Sequence, residues 1–525
     1  MNATTGLQLL LVAGGAVAVA AVARRRGWPA PLLLVAAGLI VSPVVPAIPL
    51  DPELVLFVFL PPLLYSAALD SSYLRLRDVW RPVALLSVGL VLVTAAAVGM
   101  AVHLLLPELP LAAAFALGAI VAPPDAVAAI AVGRRLGLPR RTLTILIGES
   151  LFNDATALTA YRVAIGAATG ATVDLAMAAG EFVYSAVAGV GIGLALALAF
   201  AWVFRHTRDS LVENTLMLLI PFAAYLAAES VHASGVISVV IVGLYLGNQM
   251  HLRGFGTRLV SASVWKVTDF FLETIVFALI GLQLVTVVRG VSGYGAGELA
   301  LYAGVVFLTT VLVRFAWMFP AAYVPRLLRR GDDRPAAAQV VIVSWAGMRG
   351  VVSLAAAFAI PDDVPGRPML LFLTFTTVIG TLLVQGLSFP ALIRRLRVSS
   401  EEERYQDLLA EASAQQAALT AGLEALDRAV EAEVGGEPDE IQKQVIDQLK
   451  EKSWRRSLTA WERLGGGTAQ GGAETPSALY RRLRREMLRA EREVFVRLRD
   501  ERSLDDEVMR EVMAQLDFEE AILER

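Results

Sequence analysis

The chain has 525 residues, of which 56% are hydrophobic and only 18% are charged. A soluble domain carries about 25% charged residues, so this composition predicts a protein whose surface largely faces lipid. Cysteine is absent, which excludes disulfide bonds and thiolate metal sites. The four histidines are scattered and form no HExxH-like motif, so the composition also argues against an intramembrane enzyme.

Charge divides the chain into two regions. Residues 401–525 hold 29 acidic and 19 basic residues, whereas residues 1–400 hold 20 acidic and 27 basic residues. We therefore predict a transmembrane domain over residues 1–397 and a helical, water-exposed tail over residues 398–525. A flexible linker is expected at Gly465–Gly472. Both a regulatory role and a solubilising or dimer-stabilising role are compatible with the composition of the tail.

Thirteen segments are apolar enough to be membrane-spanning helices, each of which needs about 20 residues. In chain order they are residues 6–23, 31–48, 53–69, 82–106, 110–132, 142–166, 177–203, 214–231, 235–248, 264–290, 298–325, 337–360 and 368–393. The first one is expected to be retained, because its arginines follow the apolar run instead of preceding it as in a signal peptide. The sequence thus predicts an all-α polytopic membrane protein.

The basic residues of the connecting loops indicate the orientation. Twenty-one arginines occupy alternate loops and the segment after the last helix, whereas the other loops hold only Arg289 and Arg367. Lysine and arginine concentrate in cytoplasmic loops. The pattern therefore predicts a multi-pass protein of the cell membrane, with the N-terminus outside and the tail in the cytoplasm.

Two of the predicted helices contain residues that interrupt a helix near its centre. The fifth contains Pro123 and Pro124 followed by Asp125, and the twelfth contains the sequence Gly-Met-Arg-Gly at 347–350. Each is the middle helix of a three-helix group, and the two groups start on opposite sides of the membrane. Paired interrupted helices in inverted repeats are typical of the binding sites of secondary transporters.

Ionisable residues inside spanning helices usually face the interior of the bundle. Four such residues lie deep in their predicted segments, namely Asp125, Asp154, Glu273 and Arg349. Four others, Arg162, Glu229, Asp269 and Arg314, are expected to reach the membrane interface from positions nearer the ends of their helices.

Five motifs in chain order resemble the cation:proton antiporter-1 family, which contains the NhaP-type and NHE-type sodium/proton exchangers. They are FLPPLLY at 59–65, PPDAVA at 123–128, GESLFNDA at 148–155, FLET at 271–274 and WAGMRGVVSL at 345–354. The resemblance covers residues 30–395 and leaves out the tail. It implies an inverted-repeat antiporter fold with two broken helices that cross, and relatives that are commonly homodimers.

The resemblance also implies roles for individual residues. Asp154 is expected to bind the monovalent cation or the proton, with Asn153 as its partner. Asp125 is expected beside the site on the broken helix. Apart from the resemblance, Ser150 is a candidate for a further ligand because it lies near Asp154 in the sequence.

Three further expectations concern the surroundings of this site. Glu149 is expected to form a structural ion pair with Arg349, and Glu273 is a possible accessory residue. Pro124 stands where many relatives have threonine, which leaves the choice among Na⁺, K⁺ and Li⁺ open.

A carboxylate can bind a proton or a cation in turn, and the Asn-Asp pair supplies one titratable carboxylate. We therefore predict electroneutral 1:1 exchange of Na⁺ for H⁺ by alternating access, with a K⁺/H⁺ antiporter or another ion-coupled transporter of the same fold as the alternative. No cofactor and no nucleic acid is expected to take part, and membrane lipid and a second copy of the chain are the expected partners.

Overall fold

The computed structural model describes residues 3–26, 28–43, 52–170, 175–207, 209–327, 336–398, 401–434, 439–464, 475–501, 503 and 506–523. Every regular element in these ranges is helical and none is a strand, which confirms the all-α prediction. The chain forms two compact units, Met1–Ser399 and Ser400–Arg525.

The described part of the first unit contains helices that we label α1–α18. They are α1 (Ala3–Arg26), α2 (Ala30–Val41), α3 (Pro52–Leu69), α4 (Tyr73–Asp78), α5 (Trp80–Ala84), α6 (Val91–Leu105), α7 (Leu111–Val121), α8 (Val127–Arg135), α9 (Arg140–Ala168), α10 (Leu175–His206), α11 (Ser210–Glu229), α12 (Gly235–Asn248), α13 (Phe255–Arg289), α14 (Ala296–Leu327), α15 (Ala337–Trp345), α16 (Val351–Phe358), α17 (Arg367–Thr381) and α18 (Leu387–Leu396). Two π-helical turns, Leu85–Leu90 and Leu382–Gly386, connect α5 to α6 and α17 to α18.

Each of the thirteen predicted segments contains one helix or two successive helices of this set. Within the described residues, six helical stretches are long and apolar enough to cross a membrane, and four further apolar helices are shorter. The short segment predicted at 235–248 is α12. Residues 44–48 of the second predicted segment lie outside the described residues. The number of crossings therefore remains a prediction.

Small residues allow neighbouring helices of the first unit to approach closely. A Cβ atom on Gly118 of α7 would lie 2.1 Å from the carbonyl oxygen of Ala95 on α6. A Cβ atom on Gly281 of α13 would lie 2.3 Å from the carbonyl oxygen of Val35 on α2. Such contacts are typical of membrane bundles, in which close van der Waals packing drives helix association.

Helix α9 lies between two clusters of buried apolar side chains. The first cluster takes Leu146, Ala157 and Tyr161 from α9 and joins them to side chains of α7 and α14–α17. The second takes Leu151 and Ala155 from α9 and joins them to side chains of α3 and α10–α12. Asp154 is therefore carried by a helix that both halves of the core contact.

The second unit consists of two pairs of packed helices in its described part. We label them α19 (Glu401–Val434), α20 (Glu440–Leu464), α21 (Pro476–Asp500) and α22 (Asp506–Leu523). Arg484 of α21 donates hydrogen bonds of 2.7 Å to both carboxylate oxygens of Glu519 on α22. The predicted linker at Gly465–Gly472 lies outside the described residues.

Candidate functional site

The two interrupted helices of the sequence meet at their interruptions. The non-helical stretch between α7 and α8 lies against the stretch between α15 and α16. The backbone N–H of Asp125 donates a hydrogen bond of 2.7 Å to the carbonyl of Met348 and so joins the two stretches directly. Backbone groups that a continuous helix would satisfy thus become available inside the bundle.

The carboxylate of Asp125 lies at the start of two half-helices. Its Oδ1 accepts a hydrogen bond of 2.9 Å from the backbone N–H of Val127, the first residue of α8. A Cβ atom on Gly350, which immediately precedes α16, would lie 1.9 Å from Asp125 Oδ2. Helix N-termini carry partial positive charge, so both half-helices favour a carboxylate at this place.

Asn153 of α9 binds the non-helical stretch between α7 and α8. Its Nδ2 donates a hydrogen bond of 2.7 Å to the carbonyl of Pro124. The Oδ1 atom of Asn153 is buried and has no hydrogen-bond partner among the described residues. Proline at this position supplies no hydroxyl, but its backbone carbonyl is part of the site. The free Oδ1 remains available as an oxygen ligand.

Asp154 follows on the same helix and is only 7% exposed. No described residue donates a hydrogen bond to its carboxylate. Asp125 lies near enough for the two charges to interact. Ser150 is half-buried one turn earlier, on the same face of α9. The buried carboxylate of Asp154 therefore accepts no hydrogen bond from the described residues. It can accept a cation or a proton instead.

The expected ion pair between Glu149 and Arg349 is wrong, because Arg314 of α14 takes the place of Arg349. Its two terminal nitrogens donate hydrogen bonds of 2.5 and 2.8 Å to the two carboxylate oxygens of Glu149. Both side chains are 1% exposed. The interfacial position expected for Arg314 is therefore wrong as well.

Arg314 reaches Glu149 by passing the end of α15. Its Nε and one terminal nitrogen donate to the carbonyls of Ser344 and Val343, at 3.1 and 3.0 Å. A Cβ atom on Gly347 would lie 2.6 Å from Cδ of Arg314, so the glycine leaves room for this side chain. The guanidinium thereby satisfies carbonyls at the C-terminal end of a half-helix, where a cation is favourable.

Arg349 is also 1% exposed, but no carboxylate in the described part of the chain binds it. One terminal nitrogen donates a hydrogen bond of 3.0 Å to the carbonyl of Gly347, and its Nε has no partner among the described residues. Its backbone N–H donates to Thr381 Oγ1 at 3.0 Å. Arg349 therefore contributes a buried positive charge near the crossing instead of half of an ion pair.

Glu273 lies on α13 within electrostatic range of Asp125 and Asp269. One turn before it, Asp269 accepts a hydrogen bond of 2.5 Å from the hydroxyl of Ser66 on α3. Sequence reasoning missed Ser66 and Met348, which carry no charge, and underrated Arg314. A signal for Arg314 was present, because it lies far from both ends of its predicted segment, 298–325.

The carboxylates of Asp125 and Asp154 and the amide oxygen of Asn153 thus lie close together at the crossing. Hard cations prefer oxygen ligands. A carboxylate that binds such a cation when ionised releases it when protonated. The arrangement can therefore bind either a monovalent cation or a proton.

A family model described as sodium/hydrogen exchanger, transmembrane, matches residues 11–395. An uncharacterised Na⁺/H⁺ exchanger of Mycobacterium tuberculosis is 32% identical over 539 aligned positions, which cover 99% of this chain and 96% of that protein. That alignment includes the tail. A sodium, potassium, lithium and rubidium/H⁺ antiporter of Bacillus pumilus is 31% identical over 388 positions, covering 69% of this chain and 57% of that protein.

Solved structures resemble the fold of this chain over most of its length. The sodium proton antiporter MjNhaP1 of Methanocaldococcus jannaschii superposes with a TM-score of 0.60, at 19% sequence identity. The superposition covers 74% of this chain and 97% of that one. At this level of identity the similarity describes the fold alone.

Proposed function

The chain belongs to the sodium/hydrogen exchanger family, and we propose that it exchanges Na⁺ for H⁺ across the cytoplasmic membrane. One observation carries this proposal. Asp154 presents a buried carboxylate that accepts no hydrogen bond from any residue in the described part of the chain, next to the crossing of two interrupted helices. A permanently paired carboxylate would serve the packing of helices, whereas an unpaired one can alternate between two ligands.

In this proposal Asp154 binds the cation when ionised and releases it on protonation. Asn153 Oδ1, the hydroxyl of Ser150 and the carboxylate of Asp125 are the proposed further ligands. Exchange follows because one group never holds both ions, and transport then requires the site to face the two sides of the membrane in turn.

The stoichiometry follows from the number of carboxylates that titrate during the cycle. Asn153 is uncharged, so the Asn-Asp pair offers the single carboxylate of Asp154. One proton replacing one monovalent cation moves no net charge, and we propose electroneutral 1:1 exchange.

The neighbouring charges have structural roles in this scheme. Glu149 and Arg314 neutralise each other and hold α9 against the end of α15. Arg349 balances the negative charge of the site without acting as a ligand, since a guanidinium has no acceptor atom. Glu273 is proposed as an accessory carboxylate near Asp125.

Exchange of K⁺ is the second candidate, and the name of the Bacillus pumilus relative favours it. Pro124 contributes no side-chain oxygen, so selectivity depends on how many backbone and side-chain oxygens surround the cation. The K⁺/H⁺ activity uses the same carboxylate and the same alternation.

We further propose that residues 1–397 form the transmembrane domain, with the N-terminus outside and the tail of residues 398–525 in the cytoplasm. The loop arginines support this orientation. A homodimer in the membrane is proposed from the resemblance to the family.

The experiment that tests this function measures dissipation of a pH gradient by purified protein in liposomes, after addition of Na⁺, K⁺ or Li⁺. A cation-dependent response supports the exchanger and ranks its cations. A membrane potential imposed at equal ion concentrations is expected to drive no turnover. A steady current under that potential would overturn the 1:1 stoichiometry, and no response to any cation between about pH 6 and 9 would overturn the exchange function.

A further inference from the structure

Helix α21 of the tail carries a stripe of apolar side chains that remains largely exposed. Its large members, Leu479, Leu483, Met487 and Val494, are between 39% and 55% exposed, and Ala490 among them is exposed as well. They recur every three or four residues, so they lie within an arc of about 80° on the helix surface. The stripe extends roughly 22 Å along the helix axis.

The stripe faces away from α22. The buried Leu488 of α21 joins Leu516 and Leu523 of α22 in an apolar cluster. At 3.6 residues per turn, Leu488 lies about 140° from the middle of the stripe. Arg484 and Arg492, which form ion pairs with α22, also lie toward this covered side. The packing of α21 against α22 therefore leaves the stripe available for another contact.

One edge of the stripe carries charges of alternating sign. Arg482, Glu486, Arg489 and Glu493 follow one another at intervals of four, three and four residues, and all are exposed. They occupy an arc of about 60° directly beside the stripe. Arg489 donates a hydrogen bond of 3.0 Å to Glu486 within the helix, but an ion pair this exposed contributes little and can exchange partners.

The order of these charges is complementary to itself in the reverse direction. In an antiparallel pair of α21 helices with a two-fold axis next to Met487, Arg482 lies opposite Glu493 of the second copy, and Glu486 lies opposite its Arg489. The symmetry repeats each contact, which gives four contacts of opposite charge. The apolar residues of the two stripes then interleave along the axis at intervals of about 1.5–3 Å. In a parallel pair this edge would face the other edge of the second helix instead.

The same edge argues against an anionic membrane surface as the occupant. Glu486 and Glu493 lie nearer to the stripe than Arg482 and Arg489 do, whereas helices that lie on anionic bilayers place basic residues beside their apolar face. A contact of about four turns is smaller than a standard protein interface. It is therefore expected between chains already held in one membrane, where their effective concentration is high.

We propose that the apolar stripe and the alternating edge of α21 form an antiparallel, two-fold contact with α21 of a second copy of this chain. The contact adds an interface in the tail to the homodimer proposed above and goes beyond the exchange function. The stripe supplies the buried apolar surface, and the charged edge sets the direction and the register of the two helices.

The absence of native cysteine permits a direct test by disulfide cross-linking. Full-length protein in liposomes is oxidised with copper phenanthroline. Met487→Cys lies next to the proposed axis and is expected to give linked dimers. Leu479→Cys is the matched control on the same stripe, because it lies roughly 25 Å from its own counterpart along the axis and is expected to stay unlinked. A mixture of Leu479→Cys and Val494→Cys chains with different tags is expected to link only as mixed pairs.

Reversal of charges tests the alternating edge. Arg482→Glu together with Arg489→Glu makes the whole edge acidic and is expected to slow the linkage of Met487→Cys on the order of tenfold. The further changes Glu486→Arg and Glu493→Arg restore the alternation in the opposite order, and they are expected to restore the rate. No single pair is expected to hold the contact, because exposed ion pairs contribute little individually.

Three results would overturn the proposal. Equal linkage at Met487→Cys and Leu479→Cys would indicate a parallel pair or random collision. A rate that the charge reversals leave unchanged, or that the fourfold variant fails to recover, would remove the role of the edge. A Met487→Cys thiol that stays unlinked would exclude the contact, and its protection from a water-soluble maleimide in anionic liposomes would assign the stripe to the membrane surface. None of these measurements requires ion transport, so this proposal and the exchange function can fail separately.

Discussion

Arg314 and Glu149 form a two-bond ion pair that is almost completely shielded from solvent. The bonds measure 2.5 and 2.8 Å, and each side chain is 1% exposed. The same arginine binds carbonyls at the end of α15, so it holds one of the two interrupted helices while it neutralises a carboxylate of α9. This contact therefore stabilises the packing of α9, the helix that carries Asp154, against the end of α15.

We predict that Arg314→Ala is among the most destabilising single substitutions in the first unit. It strands the buried carboxylate of Glu149 and the carbonyls at the end of α15, and loss of one partner of a buried pair costs about 3–5 kcal/mol. Thermal unfolding of the detergent-solubilised protein measures this loss. Arg162→Ala is the matched control, since its pair with Glu229 is half-exposed, and an unfolding temperature equal for the two variants would contradict the prediction.

Arg349→Ala is expected to harm stability more than transport chemistry, but less than Arg314→Ala does. Arg349 has no carboxylate hydrogen-bonded to it in the described structure, and its side chain donates to the carbonyl of Gly347. Loss of a charged hydrogen bond of this kind costs about 1.5–3 kcal/mol. The same unfolding measurement, combined with exchange assays in liposomes, compares the two variants. Normal stability together with lost exchange would reverse the role assigned to Arg349.

Gly350→Ala is predicted to impair exchange by displacing Asp125. The new methyl group would start 1.9 Å from Asp125 Oδ2, so the carboxylate must leave its position at the start of α8. Crowding of this kind costs about 1–3 kcal/mol. Cation affinity from the liposome assay measures the effect on the site. Gly191→Ala is the control, because no atom of the described structure outside its own turn of helix lies within 4 Å of its added methyl group. Unchanged cation affinity in Gly350→Ala would contradict the placement of Asp125 in the site.

The packing of α21 against α22 is predicted to weaken in acid. Hydrogen bonds from Arg484 lower the pKa of Glu519 from its ordinary value of 4.5. A carboxylate with a lowered pKa stabilises the folded state above its ordinary pKa and loses that contribution as the pH falls through its lowered value. Hydrogen-exchange protection of α21 and α22 in the full-length protein measures this effect.

Glu519→Gln is expected to reduce that protection at neutral pH and to match the wild type once the pH has fallen below the lowered pKa of Glu519. Glu486→Gln serves as its control, because the pair of Glu486 with Arg489 is exposed on both sides. Equal protection of the two variants at neutral pH would show that the Arg484–Glu519 pair does not hold these helices together.

The sequence predicted the helical class of the fold and named most of the residues at the crossing. These residues could be identified from the sequence because prolines, glycines and carboxylates inside an apolar segment are recognised without any knowledge of how the helices pack. The partner of Glu149 could not be found in this way. Arg314 and Arg349 are both plausible partners along the chain, and only the packing of α14 against the end of α15, with Gly347 leaving space, decides between them.

The central claim is tested most directly by pH-gradient dissipation in liposomes containing Asp154→Asn. Asparagine keeps the size of the side chain but removes the charge that alternates between cation and proton. Asp362→Asn is the matched control, because Asp362 is 93% exposed and lies away from the crossing. We predict that Asp154→Asn inserts and folds but shows no cation-dependent exchange, while Asp362→Asn exchanges like the wild type. Persistent Na⁺/H⁺ or K⁺/H⁺ exchange by Asp154→Asn would show that another carboxylate carries the ions.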